Sequence, residues 1–236
     1  MIGRQPFADL FIHPVSVQRR STLSRLRITE IFYSLQGESS SIGKPTLFVR
    51  LTGCPLRCVW CDTEYAFSGG DYWEMPQLLS KIDSYQPQNI CITGGEPLAQ
   101  FQPCLELMAA LCEKGHSVSI ETSGSIDISE VDPRVIKVMD LKAPDSGEMS
   151  KNKYSNIAFL NKNDEVKFVI KSRKDYDWAK MQMDQYQLAE KTNVIISPCF
   201  GDINERELAE WIIEDNLPAR FQIQLHKILW NDAEGH

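Results

Sequence analysis

The sequence predicts a single α/β domain on a largely parallel sheet, and three observations predict it. Short apolar runs alternate with segments of helical periodicity, the rhythm of strand–helix–strand units. The runs are mostly uninterrupted and rich in β-branched residues, as strands covered on both faces are. The 236 residues carry no repeat, low-complexity tract or interdomain linker, so one core suffices.

In order, Arg27–Tyr33 reads as a short strand and Ser34–Gly43 as a loop punctuated by Ser and Gly. Thr46–Leu51 is the first core strand, and Gly69-Gly70 then breaks the chain. Glu74–Ser84 is a helix with Leu78, Leu79 and Ile82 on one face. Asn89–Thr93 is a buried strand ending in Gly94-Gly95-Glu96-Pro97. Cys104, Leu105, Met108, Leu111 and Cys112 make a helix of Pro103–Lys114, stopped by Gly115. Strands follow at Ser117–Glu121, Val135–Leu141, Asp164–Ile170 and Asn193–Ser197. Helices are expected at Lys174–Tyr186 and at Glu205–Asn216, where Asn204 and Glu207 have capping-box spacing. Phe221–His226 reads as a last strand, and the polar tail after Trp230 as frayed. Residues 1–24 read as an irregular N-terminal extension and 25–236 as the core domain.

Composition narrows the function classes. With 25 basic and 32 acidic residues the net charge is −7, which argues against a broad nucleic-acid-binding face. Seven cysteines, three of them clustered, do not make a secreted disulfide framework, and a reducing cytoplasm fits better. No apolar run is long enough for a transmembrane helix, and no signal peptide is expected.

The cluster is Cys54-Pro-Leu-Arg-Cys58-Val-Trp-Cys61, directly after the first core strand. A closed structural zinc site takes four ligands, and a cubane iron–sulfur cluster has four irons. Three local thiols suggest a cluster with one open iron. A zinc knuckle completed by His116 or Cys199 is one alternative. A redox pair of Cys58 and Cys61 is another, and it leaves Cys54 unexplained. Cys91, Cys104 and Cys112 lie on apolar faces and read as core. Ligands gather at the carboxyl ends of parallel strands. Here those ends carry Thr93–Pro97, Glu121–Gly124, Asp140–Lys142 and Ser197-Pro198.

The three cysteines, with Trp60 before the last, resemble the signature of the radical S-adenosylmethionine (radical SAM) family. The resemblance implies a single-domain, partial β/α barrel of the radical SAM type. It implies that Cys54, Cys58 and Cys61 hold a 4Fe–4S cluster whose fourth iron is chelated by S-adenosylmethionine. One electron from the cluster would then cleave the sulfonium to methionine and a 5′-deoxyadenosyl radical. Gly94-Gly95-Glu96-Pro97 alone reads equally well as a strand-to-helix turn. In the family it binds the methionine amino group, with glycines allowing close backbone approach and the Glu96 carboxylate accepting from the ammonium.

Three further stretches, Ser34-Leu35-Gln36-Gly37-Glu38, Cys61-Asp62-Thr63 and Phe221–Lys227, resemble the 7-carboxy-7-deazaguanine synthases of queuosine-precursor biosynthesis. The likeness runs from about Arg27 to about Asp232. It implies conversion of 6-carboxy-5,6,7,8-tetrahydropterin to 7-carboxy-7-deazaguanine, with ring contraction, loss of ammonia and a magnesium requirement. Thr63 corresponds to the magnesium ligand, although by itself it reads as a turn hydroxyl. Leu35, Gln36, Gly37 and Glu38 correspond to the loop around the pterin, and Thr93 to a further substrate contact. Arg50, placed between Val49 and Leu51, needs a buried partner, for which the substrate carboxylate is the natural choice. Gly95, Glu121, Ser123, Lys142, Ala143, Pro144 and Ser197 are expected around the cofactor. A homodimer and a reductant protein such as flavodoxin are implied, with no nucleic-acid or membrane partner. A radical activase that installs a glycyl radical on a partner protein would share the cysteines and Gly94–Pro97 but not the Leu35–Glu38 loop. His13, His116 and His236 join no constellation, and the facing of His226 is open.

Overall fold

The computed structural model describes residues 24–231 and residue 235. The extension expected over 1–24 lies outside the described residues except for Ser24, as do residues 232–234 and 236 of the tail.

The strands are β1 (Arg25–Leu35), β2 (Pro45–Leu51), β3 (Asp71–Glu74), β4 (Asn89–Gly94), β5 (Ser117–Thr122), β6 (Ile136–Asp140), β7 (Glu165–Ile170), β8 (Asn193–Pro198) and β9 (Arg220–Phe221). They form one sheet in the order β3-β1-β2-β4-β5-β6-β7-β8-β9. From β2 to β9 every pairing is parallel, and β1 pairs antiparallel with both β2 and β3. β3 and β9 are the ends of the sheet, so the barrel stays open. The helices are α1 (Met75–Asp83), α2 (Phe101–Glu113), α3 (Arg173–Tyr186), α4 (Leu188–Lys191), α5 (Glu205–Glu214) and α6 (Leu225–Trp230).

Strand side chains alternate between faces, and the two faces have different tasks. Leu47, Val49 and Leu51 of β2, Met139 of β6, and Val166, Phe168 and Ile170 of β7 belong to the helix-covered core. Leu78 and Ile82 of α1, Leu107 and Leu111 of α2, and Leu208 and Ile212 of α5 pack into that same core. The alternate positions, Phe48, Arg50, Asp140, Lys167 and Val169, line a cavity instead. The core face is therefore apolar, while the cavity face tolerates charge wherever a partner is supplied.

Two sequence expectations are corrected. β3 was absent from the expected elements: four residues ending in charge carry no period, and pairing to Arg25–Ile28 makes the strand. Phe221–His226 is not a strand. Only Arg220 and Phe221 pair with β8, after which the chain turns into α6. The Gln222 side chain leaves the ladder to grip the 36–44 loop, accepting from Ser39 N at 2.6 Å and donating to Ser39 O at 2.9 Å. The 36–44 loop also takes Leu225 N, on Gly37 O at 3.0 Å. Loop pairing thus replaces sheet pairing. At α5, Asn204 caps as expected, accepting from Arg206 N and Glu207 N at 3.0 and 3.2 Å.

Candidate active site

The cysteine loop is latched to neighbouring strand ends through its backbone. Gly53 O accepts from Glu96 N and Gly53 N donates to Ala66 O, both at 2.8 Å. Val59 N donates to Ser146 O at 3.0 Å and Cys61 N to Cys58 O at 3.2 Å. Close packing explains the paired glycines. A Cβ on Gly94, whose φ is +153°, would lie 2.2 Å from Leu51 O. One on Gly95 would lie 2.5 Å from Gly53 O and 2.7 Å from Cys54 Cβ. The room the glycines leave is filled by the chain that carries the first cysteine.

Cys54, Cys58 and Cys61 line one wall of a cavity of about 350 Å³, and Leu35–Glu38 line another. All three thiols are free and half-buried. Burial pushes Cys58 up to about 11 and raises Cys54 as well. Among the described residues no three His, Cys, Asp or Glu side chains are already gathered as closely as a bound metal ion requires. Three soft thiolates on a short loop nevertheless suit an iron–sulfur cluster. Two buried oxygens of the cavity, Asp140 Oδ1 and Ser197 Oγ, have no hydrogen-bond partner. A bound polar cofactor fits those observations. Of the zinc alternatives, His116 sits before the amino end of β5 against Pro87 O and outside the cavity lining, whereas Cys199 is part of that lining and donates to Asp202 at 3.2 Å.

Glu96 is fully buried and is not part of the lining. Its carboxylate accepts from Leu98 N at 3.0 Å, from the Thr122 hydroxyl at 2.9 Å, and from Ser123 N and Oγ at 2.7 and 2.5 Å. In this arrangement it ties the end of β5 to the turn after β4. Ala143 and Pro144 also fall outside the lining, whereas Gly94, Gly95, Glu121, Ser123, Lys142 and Ser197 are within it.

On the other wall the polar groups are paired side chain to side chain. Glu121 accepts from Thr93 Oγ1 at 2.8 Å and from Gln36 Nε2 at 3.2 Å. Lys167 donates to Glu38 at 2.5 Å, and Gln224 Nε2 to its other oxygen at 2.7 Å. Burial alone would raise Glu38, but Lys167, Gln224 and His226 outweigh it and hold the carboxyl at about 2. Lys142 pairs with Asp140 at 2.9 Å. Arg50 finds its partner within the chain: its Nε donates to Glu30 at 2.7 Å. Thr63 is half-buried at the N-cap of a short 3₁₀ turn but makes no cap with its side chain. Its hydroxyl lies 3.5 Å from Asp62 Oδ1 and 3.8 Å from Cys61 Sγ. The Thr63 hydroxyl and the Asp62 carboxylate are hard oxygens of the kind magnesium takes.

The structure also brings in residues to which the motifs gave no role. Lys167, Tyr65, Gln224 and His226 line the cavity, and Glu30 stands next to Arg50. A sequence signal existed for Lys167, a charge set between the apolar strand residues Val166 and Phe168. His226 explains Gly37, where a Cβ would fall 2.0 Å from the imidazole Nδ1.

A family model described as the radical SAM superfamily matches residues 48–211. A 7-carboxy-7-deazaguanine synthase of Chlorobaculum tepidum is 42% identical over 219 residues, covering 91% of this chain and 99% of its own. One of Koribacter versatilis is 40% identical, covering 87% of this chain and 97% of its own. The crystal structure of QueE from Escherichia coli aligns with a TM-score of 0.66 at 23% identity, over 86% of this chain and 95% of that one. That likeness supports the partial-barrel fold. No helix among the described residues is long and apolar enough to cross a membrane.

Proposed function

The chain belongs to the radical SAM superfamily and, within it, to the 7-carboxy-7-deazaguanine synthases, and from that premise we propose that it converts 6-carboxy-5,6,7,8-tetrahydropterin to 7-carboxy-7-deazaguanine with loss of ammonia. It is an enzyme of the lyase class. One observation carries the finer reading: a single cavity gathers the three thiols, the Leu35–Glu38 loop and Arg50.

Cys54, Cys58 and Cys61 hold the cluster, and Gly94, Gly95, Glu121, Ser123, Lys142 and Ser197 surround the S-adenosylmethionine. When bound, the two groups supply one-electron cleavage and hydrogen abstraction. The chain's own residues bind, orient and exclude water. Arg50 receives the substrate carboxylate. Gln36, Glu38 and Thr93 offer donors and acceptors to the edge of the pterin ring. Glu96 acts behind the wall, holding Thr122 and Ser123 in place. Thr63 supplies one hard oxygen to magnesium, whose shell is completed by water and substrate. The working protein is a cytoplasmic homodimer fed by a reductant such as flavodoxin.

Anaerobic reconstitution tests this directly. With a reductant, S-adenosylmethionine, magnesium and the carboxytetrahydropterin, mass spectrometry is expected to detect the deazaguanine acid. An intact cluster that yields no product sinks the substrate assignment.

A further inference from the structure

The ladder between β1 and β2 is interrupted once. Ile28 faces Leu51, yet Glu30 faces Arg50, and from there Ile31 faces Val49 and Phe32 faces Phe48. β1 therefore takes up one extra residue, a β-bulge. With period-two side chains, a one-residue shift decides the face of everything beyond it. Without the bulge Glu30 would stand opposite Val49, inside the helix-covered core. With it, Glu30 joins Arg50 on the cavity side of the sheet. The bulge is fastened locally, by a 2.7 Å hydrogen bond between the Thr29 and Thr52 hydroxyls and by Thr52 N on Arg27 O at 2.9 Å.

Glu30 Oε1 accepts from Arg50 Nε at 2.7 Å and from the Tyr65 hydroxyl at 2.8 Å. The guanidinium carbon lies 5.7 Å from the Phe32 ring centroid and 5.8 Å from that of Tyr65. The cation is thus fixed by one carboxylate and two rings. Arg50 lines the cavity and Glu30 does not. Among the described residues the Arg50 side chain makes one hydrogen bond, from Nε to Glu30. The two Nη nitrogens remain, a fork that matches the two oxygens of a carboxylate. A long side chain already held in one rotamer loses less entropy on binding.

We propose that Glu30 is a positioning residue for carboxylate recognition: set on the cavity side by the β1 bulge, it grips Arg50 at Nε and turns the Nη edge toward the acid group of the bound pterin. The assignment rests on the substrate reading above and deepens it by placing the selectivity for a carboxylated pterin on a residue outside the cavity lining. Tyr65 shares the task as a donor to the same Glu30 oxygen.

Fluorescence titration of the reconstituted enzyme with 6-carboxypterin and with pterin, which lacks the acid, tests the assignment. The wild type is expected to prefer 6-carboxypterin. Glu30→Leu keeps the volume but removes the acceptor, and should cut that preference by about tenfold while pterin affinity stays within about twofold. Glu30→Gln keeps an acceptor oxygen and should restore the preference to within about threefold of wild type. Should Glu30→Leu fail to fold, Glu30→Thr, a good strand former too short to reach Nε, carries the same expectation. A merely structural Glu30 would weaken both pterins alike, or lower Tm and leave their ratio unchanged, and either result overturns the assignment. A wild type that binds both equally sinks the substrate reading, and the role of Glu30 with it. A wild type that discriminates beside a Glu30→Leu variant that discriminates as well removes the role of Glu30 alone.

Discussion

The cysteine wall of the cavity is held by backbone, and the wall that carries Leu35–Glu38 is held by side chains. On the first, backbone hydrogen bonds at 2.8–3.2 Å tie Gly95 and Glu96 to the end of β2 and to Gly53, and Gly53 and Val59 to Ala66 and Ser146, and two glycines allow the chains to touch. On the second, Arg50–Glu30, Lys167–Glu38 and Glu121–Thr93 join residues distant in sequence. Backbone latches depend little on pH and fail only where a side chain intrudes. Buried charge pairs fail when one partner goes, and they respond to protons. The first wall suits a group that must be carried unchanged through each cycle, and the second suits a substrate whose charge and shape must be read.

The largest effect that would break this contrast lies on the cysteine wall. Cys58→Ala should abolish turnover, with the fall exceeding about a thousandfold, because no other thiol in the loop can replace it. Iron content, the visible absorbance of the cluster and cleavage of S-adenosylmethionine report the loss. The fold should survive, since Cys58 is only half-buried and its backbone bond to Cys61 is kept. A variant with a full cluster and normal cleavage would remove Cys58 from the ligand set.

Next comes the side-chain wall. Lys167→Met leaves the Glu38 carboxylate buried with Gln224 as its neutral donor, and should cost about 3–5 kcal/mol at neutral pH. The sign against pH separates this from simple cavity damage. In the wild type Glu38 sits at about 2, below its ordinary 4.5, so its contribution is complete above about pH 4.5 and is lost as pH falls toward 2. Without Lys167 burial dominates and Glu38 rises above its ordinary value. Its protonation then relieves the variant on acidification. Thermal melts should show a Tm deficit that is greatest near neutrality and shrinks toward acid. A deficit that is constant with pH would mean that Lys167 contributes packing and not charge.

The backbone wall has its own probe. Gly95→Ala places a Cβ 2.5 Å from Gly53 O and should cost about 1–3 kcal/mol through a shift of the loop. Because Cys54 Cβ lies on the same path, iron uptake should fall together with Tm. A variant that loses stability but reconstitutes fully would uncouple the glycines from the cysteines.

The two walls also differed in how far the sequence disclosed them. Cys54, Cys58, Cys61 and Gly94–Pro97 lie within short spacings, and local spacing carries their geometry. Thr93 came from the family resemblance, and Arg50 was visible as a charged residue on an apolar strand. Glu30 was not, because its face depends on the bulge, and the chain gives no local sign of one extra residue in a ladder. Lys167 and Glu38 are 129 positions apart, a pairing set only by closure of the sheet. His226 was placed on a strand because Phe221, Ile223 and Leu225 alternate with Gln222, Gln224 and His226. Its true position came from Gln222 and Leu225 bonding to the 36–44 loop. Glu96 was read as a cofactor contact from its motif. Burial, and donors from Leu98, Thr122 and Ser123, give it work inside the protein.

The smallest expected effect tests where the walls meet. Thr63 follows the last cysteine by two residues, yet its side chain neither caps the turn after it nor enters the core. Its neighbours are the Asp62 carboxylate and the Cys61 sulfur, at distances where hydrogen bonding is weak. Removing the hydroxyl should therefore leave the stability within about 0.5 kcal/mol of wild type. If Thr63 donates one oxygen to magnesium, Thr63→Ala should shift the magnesium concentration for half-maximal rate upward by about tenfold, with the rate at saturating magnesium largely regained. Thr63→Ser keeps the oxygen and should titrate as the wild type does. An unchanged magnesium curve in Thr63→Ala would leave the hydroxyl as a turn residue and return the metal to water and substrate oxygens alone.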